Sequence, residues 1–264
     1  MKQIIRSLTV AVIGLALMLQ GLAQQRDDKS KSKEAALQQQ IDELKAGQQQ
    51  ILKELQEIKK ILQSFQEAAN QQPPQEITLP VGGEPFKGSP AARVAIIEYS
   101  DYQCPFCGEY ARQIFPQLDS AYIKSGKVRY YFRDLPLQMH PQALPAALAS
   151  RCAGEQGKFW EMHERLFANQ NALGPDDLKK HAAAIGLDAA RFDECLSSGK
   201  YRNAVARSMA SAERMRLDGT PAFLMGVLDP NGEVVRVTQV KLGAQTYEEF
   251  KETLDGLLAA PSKK

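Results

Sequence analysis

Two cysteines separated by two residues are the part of the sequence best suited to chemistry. The segment Cys104-Pro105-Phe106-Cys107 follows a short apolar run, Arg93 to Tyr99, that is typical of a buried strand, and a helical pattern begins at Pro105. A thiol at the start of a helix lies beside unpaired backbone amides and the positive end of the helix dipole, which stabilise its thiolate. We therefore predict that Cys104 is an exposed nucleophile. Cys107, one turn further and more buried, would be the resolving thiol.

Three other interpretations of the cysteine pair fit less well. A structural zinc site usually takes a second Cys or His pair, and the haem-attachment motif needs a His where Gly108 stands. A purely structural disulfide between residues three apart closes almost no loop and restrains the unfolded chain little. The three histidines, at positions 140, 163 and 181, are not expected to group into a metal cluster. We therefore expect thiol-disulfide chemistry with no metal and no cofactor.

The first 23 residues have the features of an export signal. Lys2 and Arg6 provide a charged start, Leu8 to Leu19 is an apolar run, and Gly21 to Ala23 supplies small residues for cleavage. A membrane span needs about 20 apolar residues, so a cleaved signal is favoured over an anchor. Export predicts a periplasmic protein in a compartment where disulfides persist. Residues 24–33 are polar and charged and are predicted to be disordered.

Residues 34–69 carry a heptad pattern. The a positions are Ile41, Gln48, Leu55 and Leu62, and Gln48 is the one polar residue among them. Apolar residues occupy the d positions 37, 44, 51, 58 and 65. A period of 3.5 residues predicts a coiled coil, and Leu at a with Ile at d favours three or four strands over two. We predict a homo-oligomer, with a trimer favoured. The alternative is a single amphipathic helix that folds back on its own domain.

Breaker residues and charge complete the domain plan. Asn70 to Glu76 contains two prolines, and Gly and Pro clusters continue to Pro90, so residues 70–90 are predicted to be a linker and residues 91–264 the catalytic domain. The chain has 33 Lys and Arg against 31 Asp and Glu. Without Lys2 and Arg6, which lie in the predicted signal, 31 basic residues face 31 acidic ones. A neutral mature chain argues against nucleic acid as a partner.

Several motifs, in order along the chain, resemble one known family. They are Ala95-Ile96-Ile97-Glu98-Tyr99 before the cysteine pair, then Gly157-Lys158-Phe159-Trp160-Glu161-Met162-His163, and later Gly219-Thr220-Pro221-Ala222-Phe223. They are similar to the DsbA-like thiol-disulfide oxidoreductases of the thioredoxin superfamily, and the likeness covers residues 80–260 or so. The resemblance implies an α/β thioredoxin fold with a helical insertion at about residues 138–217. Local patterns agree, with strands at Val128 to Phe132, Ala222 to Leu228 and Glu233 to Val240, and a last helix from Tyr247 to Leu258.

The resemblance also implies roles outside the cysteine pair. Thr220-Pro221 would be the cis-proline site, which faces the cysteines and offers backbone groups to an extended substrate. Glu98 matches a buried acid that accepts the proton of Cys107, because burial raises the pKa of a carboxyl group; the alternative is a strand-end residue that reaches solvent. Thr before the proline is similar to the isomerase and reductase branches, and Phe106 replaces the His of the strongest oxidants. We therefore expect a less oxidising active-site disulfide.

Cys152 and Cys195 lie in the predicted insertion, where related sequences often carry a cysteine pair. This implies a structural disulfide; two buried free thiols are the alternative. The chain also resembles trimeric copper-tolerance relatives of DsbA, which join an oligomerising helix to such a domain. We expect an exported oxidoreductase with isomerase or reductase character that acts on exported proteins and is reset by a membrane redox partner. The alternatives are a dithiol oxidase and a protein that binds Cu(I) through Cys104 and Cys107.

Overall fold

The computed structural model describes residue 33 and residues 37–61 and 77–261, and the chain divides into two compact units, Met1–Gln75 and Glu76–Lys264. The predicted signal, residues 62–69 of the predicted coiled coil and residues 70–76 of the predicted linker lie outside the described residues. Lys33, the last residue of the segment predicted to be disordered, is helical. None of the helices described has the length and apolar character that crossing a membrane requires.

Helix α1 spans residues 37–61 and belongs to the first unit. Its Leu and Ile side chains are exposed along its length, among them Leu44 at 74% and Ile51 at 60%. Hydrogen bonds between side chains four residues apart support the helix, as between Gln50 Nε2 and Glu54 Oε1 at 2.9 Å. The structure confirms a helix before the second unit, and the coiled coil stays a prediction.

A mixed sheet of six strands forms the centre of the second unit, in the order β1-β6-β5-β3-β4-β2. The strands are β1 (Ile77–Pro80), β2 (Phe86–Lys87), β3 (Val94–Ser100), β4 (Val128–Asp134), β5 (Ala222–Leu228) and β6 (Val234–Leu242). Strands β3 and β4 are parallel, and the other pairs are antiparallel. All seven residues of β3 are buried because strands flank it on both sides and helices cover both faces. The strand that leads to Cys104 is therefore held in the interior of the sheet.

Helices surround this sheet and form the insertion. They are α2 (Pro105–Gln113), α3 (Phe115–Leu118) with a π-helical turn (Asp119–Ile123), α4 (Ala143–Gly154), α5 (Phe159–Ala168), α6 (Pro175–Ala184), α7 (Ala189–Ser198), α8 (Arg202–Arg214) and α9 (Tyr247–Ala259). The sequence predicts one helix with a kink at Pro116. The structure instead ends α2 before Ile114 and places Pro116 in the first turn of α3, where a proline without an amide proton is tolerated.

Three apolar clusters make up the core. Tyr110 of α2 and Phe250 of α9 pack on one face of the sheet, and Ala212 of α8 packs on the other. The insertion, α4 to α8, has a core of its own, and this core includes both Cys104 and Cys107. The cysteine pair thus lies where the insertion meets the sheet domain.

The predicted linker is wrong in its second half. Strands β1 and β2 lie within residues 77–87, and both pair with the sheet, β1 with β6 and β2 with β4. Both are short edge strands beside Gly and Pro, and Pro80 is tolerated at an edge because an edge strand leaves part of its backbone unpaired. The Gly and Pro residues beside these strands therefore led the sequence analysis to predict a linker here. The folded domain begins near residue 77 and not at residue 91.

Candidate active site

The loop between β3 and α2 is fixed by the carboxylate of Asp101. Its Oδ1 accepts the backbone N–H of Gln103 at 2.7 Å, and its Oδ2 accepts the N–H of Leu137 at 2.8 Å. His140 Nδ1 lies 2.8 Å from the same Oδ2. Asp101 is buried, so these contacts replace the water that a carboxylate would otherwise bind. The turn that presents Cys104 is therefore tied to the loop after β4, a link that the sequence analysis missed.

Cys104 is the N-cap residue of α2. Its backbone is extended, with φ −68° and ψ 124°, and Pro105 follows at the first helical position. The side chain makes no N-cap hydrogen bond of the usual kind. The amides of the first helical turn are thus available to a negative charge on its sulfur, as the sequence predicts.

The prediction that Cys104 is exposed is wrong: it is 4% exposed, and Cys107 is fully buried. Residues of the insertion pack around both thiols, and no local sequence pattern reports that packing. Both cysteines are free thiols in this structure, which therefore represents the reduced form. The side chain of Phe106, between them, is 61% exposed and extends the surface beside the site.

The two thiols differ strongly in acidity. A hydrogen bond from Cys107 lowers the pKa of Cys104 to about 5, and the Thr220 side chain and the backbone amides of Cys107 and Phe106 add to this, while desolvation opposes it. Within residues 37–61 and 77–261, the buried Thr220 hydroxyl has no hydrogen-bond partner that competes with the Cys104 sulfur. Desolvation by burial, followed by the hydrogen bond with Cys104 and then the negative charge on Cys104, raises the pKa of Cys107 far above its usual range. Cys104 is the thiol that ionises first.

The Thr220–Pro221 peptide bond is cis and lies against Cys104. The Cys104 thiol donates to the carbonyl oxygen of Thr220 with a sulfur-to-oxygen distance of 3.4 Å. Just after Pro221 the chain enters β5, and the N–H of Gly243 donates to the Pro221 carbonyl at 2.8 Å. The structure therefore brings three of the predicted site residues, Cys104, Thr220 and Pro221, together.

Glu98 lies on β3, on the same face as Ser100, and is 1% exposed. Burial raises its pKa to about 7, while the hydrogen bond from Tyr130 and the nearby hydroxyl of Ser100 lower it in part. The hydroxyl of Tyr130 donates to Glu98 Oε2 and lies 3.1 Å from the hydroxyl of Tyr110. The charge of Glu98 is close enough to raise the pKa of Cys107. Glu98 does not reach solvent, and its two tyrosine neighbours were not identified from the sequence.

Cys152 of α4 and Cys195 of α7 form a disulfide, with their Cα atoms 5.8 Å apart. Both half-cystines belong to the apolar core of the insertion. The bond joins two helices that are separated by 43 residues in the sequence. It is therefore placed to hold the insertion together while the other cysteine pair remains free.

The histidines occupy separate environments. His163 is enclosed by aromatic rings, and burial lowers its pKa to about 3, so it is neutral. His140 contacts Asp101, and His181 contacts the carbonyl of Ala172. Within residues 37–61 and 77–261, no three His, Cys, Asp or Glu side chains form a group suited to a metal ion. The Cu(I) alternative needs only the two thiols and stays a prediction.

The family is shown by a match along most of the second unit. The family model described as "Thioredoxin" matches residues 81–256, and this chain belongs to that family. The predicted fold class, a thioredoxin fold with a helical insertion and a preceding helix, is thereby confirmed. The match begins at Val81, which agrees with a domain that starts before residue 91.

Curated relatives match about half of the chain. Two of them are Na(+)/H(+) antiporter NhaA proteins: NhaA 3 of Salinispora tropica is 39% identical over 140 residues, and NhaA 1 of Salinispora arenicola is 38% identical over 140 residues. Each match covers 53% of this chain and 21% of the relative. The chain therefore spans about a fifth of the length of these relatives, and their transport activity is a property of those proteins.

Solved structures show the same fold at low sequence identity. Alpha-DsbA1 of Wolbachia pipientis superposes with a TM-score of 0.58 at 23% identity, over 68% of this chain and 93% of that one. Oxidised BdbD of Bacillus subtilis gives 0.58 at 23% identity, over 70% and 99%. A thioredoxin-like oxidoreductase of Silicibacter pomeroyi gives 0.58 at 23% identity, over 68% and 95%. The second unit has the fold of DsbA-like thiol-disulfide oxidoreductases.

Proposed function

We propose that this protein is an exported thiol-disulfide oxidoreductase that acts on protein disulfides through Cys104 and Cys107. One observation carries the proposal: the more acidic thiol stands at the start of α2 and contacts the carbonyl of Thr220 beside Pro221. An extended substrate segment that pairs with this backbone would bring its own sulfur to Cys104. The exposed ring of Phe106 offers the same segment an apolar contact.

In the first step the Cys104 thiolate attacks one sulfur of a substrate disulfide. The new bond joins Cys104 to that sulfur, the substrate S–S bond breaks, and the second substrate sulfur leaves as a thiolate. The low pKa of Cys104 keeps it ionised at neutral pH. A thiolate with a low pKa is also a weaker nucleophile. The hydrogen-bond donors around Cys104 therefore have to stabilise the thiolate while leaving its sulfur free to attack.

In the second step Cys107 closes the reaction. Its sulfur attacks Cys104, the mixed disulfide breaks, the substrate leaves reduced, and the enzyme is left with the Cys104–Cys107 disulfide. Cys107 must first lose a proton in a buried site where its pKa is raised. Glu98, whose pKa of about 7 suits exchange near neutrality, would take that proton. The buried hydroxyl of Ser100, which has no hydrogen-bond partner among the described residues, lowers the pKa of both groups slightly and would lie on the proton's path.

Different features of the site support different directions of exchange. Thr220 and Phe106 support isomerase or reductase character, because the family's strongest oxidants carry other residues at these two positions. A thiolate stabilised to a pKa of about 5 supports the alternative, a dithiol oxidase, since it favours the reduced enzyme and makes its disulfide more oxidising. In the isomerase a substrate thiol, rather than Cys107, resolves the mixed disulfide.

An oligomer would serve the isomerase. The apolar side chains exposed along α1 support self-association through the heptad pattern, with a trimer favoured. Several sites joined in this way raise the effective concentration for repeated attack on wrong disulfides. Exported proteins with thiols or disulfides are the proposed substrates, and a membrane redox partner would reset the cysteine pair.

Two measurements on the full-length protein test the proposal. The first is the reduction potential of the Cys104–Cys107 couple in glutathione buffers, and the second is the refolding of a scrambled multi-disulfide protein. Recovery of the native substrate that Cys104→Ser abolishes would support an isomerase. A strongly oxidising potential with rapid oxidation of a reduced substrate, but no recovery of the scrambled one, would select the oxidase. Absence of exchange in both assays would refute the proposed function.

A further inference from the structure

A glutamine from the insertion holds the backbone on which Cys104 stands. The side-chain amide of Gln170 donates to the carbonyl of Tyr102 at 2.9 Å and to the carbonyl of Cys104 at 2.8 Å. The Cys104 carbonyl also accepts the N–H of Gly108 at 3.1 Å, the first hydrogen bond of α2. One side chain thus clamps the turn before the helix and the residue that begins it.

The far end of this side chain is held as well. Gln170 Oε1 accepts from Arg112 Nη1 at 3.2 Å, and the same Nη1 donates to the carbonyl of Phe167 at 2.9 Å. Arg112 lies near the end of α2, so Gln170 bridges both ends of that helix. The amide is therefore oriented with its nitrogen toward Cys104 and its oxygen toward Arg112.

Gly108 leaves the space that the clamp occupies. A Cβ atom at this position would overlap the Gln170 amide and would lie 2.7 Å from Arg112 Nη1. The backbone angles of Gly108 require no glycine, because the residue is an ordinary member of α2 and has no positive φ. The glycine is thus explained by the close approach of Gln170.

The loop that carries Gln170 is anchored behind it. Arg165 Nε donates to His181 Nδ1 at 3.0 Å, so the ring's proton is on Nε2, which donates to the carbonyl of Ala172 at 2.8 Å. The side chain of Asn169 donates to the carbonyl of Arg165 at 2.7 Å. These contacts fix the backbone on both sides of Gln170. Its side chain loses little freedom when it binds the cysteine turn.

We propose that Gln170 is a positioning residue that sets the acidity and reactivity of Cys104 from the helical insertion. Its two N–H groups offset part of the negative charge on the carbonyl oxygens of Tyr102 and Cys104, which belong to the turn that carries the thiolate. They also keep Cys104 Sγ within reach of the first-turn amides and of Thr220. The inference rests on the proposed function only in taking Cys104 as the attacking thiol.

The test is the pH dependence of Cys104 alkylation in the reduced full-length protein, followed by peptide mass spectrometry. Gln170→Met keeps the length of the side chain but removes both donors. We expect the midpoint to rise by about 0.5 to 1 pH unit, because a lost hydrogen bond to the site is a three- to tenfold effect on the equilibrium. Gln156→Ala is the matched control: this glutamine also binds backbone in the insertion, donating to Asp188 O and accepting from its N–H. It should leave the midpoint unchanged.

A double-variant cycle separates positioning from simple packing. Gly108→Ala should displace the Gln170 amide and raise the midpoint as Gln170→Met does. Gly108→Ala combined with Gln170→Ala should behave like Gln170→Ala alone, because the displaced group is gone and the flexible head of Arg112 can shift. An unchanged midpoint in a folded Gln170→Met variant, or additive shifts in the cycle, would overturn the inference. Alkylation needs no substrate, so this result is independent of whether the protein catalyses exchange.

Discussion

The sulfur of Cys104 and the carbonyl oxygen of Thr220 are 3.4 Å apart, although 116 residues separate them in the sequence. The contact joins the start of α2 to the backbone that precedes β5. It places the thiol proposed to attack beside the backbone proposed to pair with a substrate. The predictions below follow from this arrangement and its surroundings.

Cys107→Ser should trap substrate proteins on Cys104. The variant keeps the attacking thiol but has no second sulfur to resolve the mixed disulfide. Non-reducing electrophoresis and mass spectrometry with a disulfide-containing substrate would identify the adduct. Cys104→Ser is the matched control and should trap none. Adducts of equal yield through Cys107 in that control would reverse the assignment of the two thiols.

The thiolate of Cys104 should form near pH 5 and not near pH 8.5, where an ordinary thiol titrates. Because the hydrogen bond from Cys107 is the largest cause of the low pKa, Cys107→Ala should raise the midpoint by about one unit or more. The alkylation rate against pH measures both values. A midpoint near pH 8.5 in the wild-type protein would show that the site does not activate Cys104.

Glu98→Gln should stabilise the protein at pH 8 and slow its release of mixed disulfides. The folded state raises the carboxyl pKa from 4.5 to about 7, so it binds the proton more tightly than the unfolded chain does. The contribution of this group to the free energy of unfolding is therefore fully present below pH 4.5. It is lost as the pH rises to about 7, and the loss is about 3 kcal/mol at most. Urea unfolding at several pH values should show a flatter profile for the variant.

The exposed Glu164, whose side chain is 60% accessible, offers a control for the Glu98 experiment. Glu164→Gln should leave both the pH profile and the exchange rate close to those of the wild type. Tyr130→Phe adds a second arm, since loss of its hydrogen bond to Oε2 should raise the pKa of Glu98 further. If the stability of Glu98→Gln falls with pH as steeply as that of the wild type, this residue is not the origin of the pH dependence.

Removing the second disulfide should cost stability but not chemistry. A double Cys152→Ser and Cys195→Ser variant loses a bond that closes a 43-residue separation, so we expect the free energy of unfolding to fall by about 3 to 5 kcal/mol. Urea unfolding measures the loss, and alkylation of Cys104 checks that the site is intact. A variant as stable as the wild type would show that the bond does not restrain the unfolded chain.

Deletion of residues 24–75 should give a monomer that keeps Cys104 reactivity and loses isomerase activity. The deletion removes α1 and the predicted oligomerisation seam but leaves the second unit, which begins at Glu76. Light scattering measures the size of both proteins, and refolding of a scrambled substrate measures isomerisation. A monomeric full-length protein, or equal isomerisation by the shortened one, would exclude a functional role for self-association.

Local patterns revealed much of the fold and the centre of the site. The predicted strand Ala222 to Leu228 matches β5 residue for residue, because a buried apolar run between turn residues has few alternatives. Strands β1 and β2 escaped detection, since two to four residues at a sheet edge carry little periodicity. The spacing of Cys104 and Cys107, after a strand and at the start of a helix, was enough to predict a reactive cysteine pair.

Tertiary contacts determine what the sequence could not show. Asp101, Tyr130 and Gln170 contact the site or its neighbours from three different parts of the chain, and none belongs to a spacing that indicates chemistry. The burial of Cys104 has the same origin, because the insertion that covers it starts beyond β4. One signal was present: a glycine at position 108, inside a helix, where close packing is the usual reason for a residue of poor helix propensity.

The bond between Cys152 and Cys195 is itself a product of thiol oxidation, the class of chemistry proposed for the other cysteine pair. A newly made chain has four thiols that can pair in three ways, and only one of these closes the insertion while leaving Cys104 with Cys107. The partners on α4 and α7 meet only as the insertion folds. The chain thus combines one disulfide that would form once, as the insertion folds, with one cysteine pair that would be oxidised and reduced repeatedly. Each molecule would thus undergo, at Cys152 and Cys195, one reaction of the kind proposed for Cys104 and Cys107.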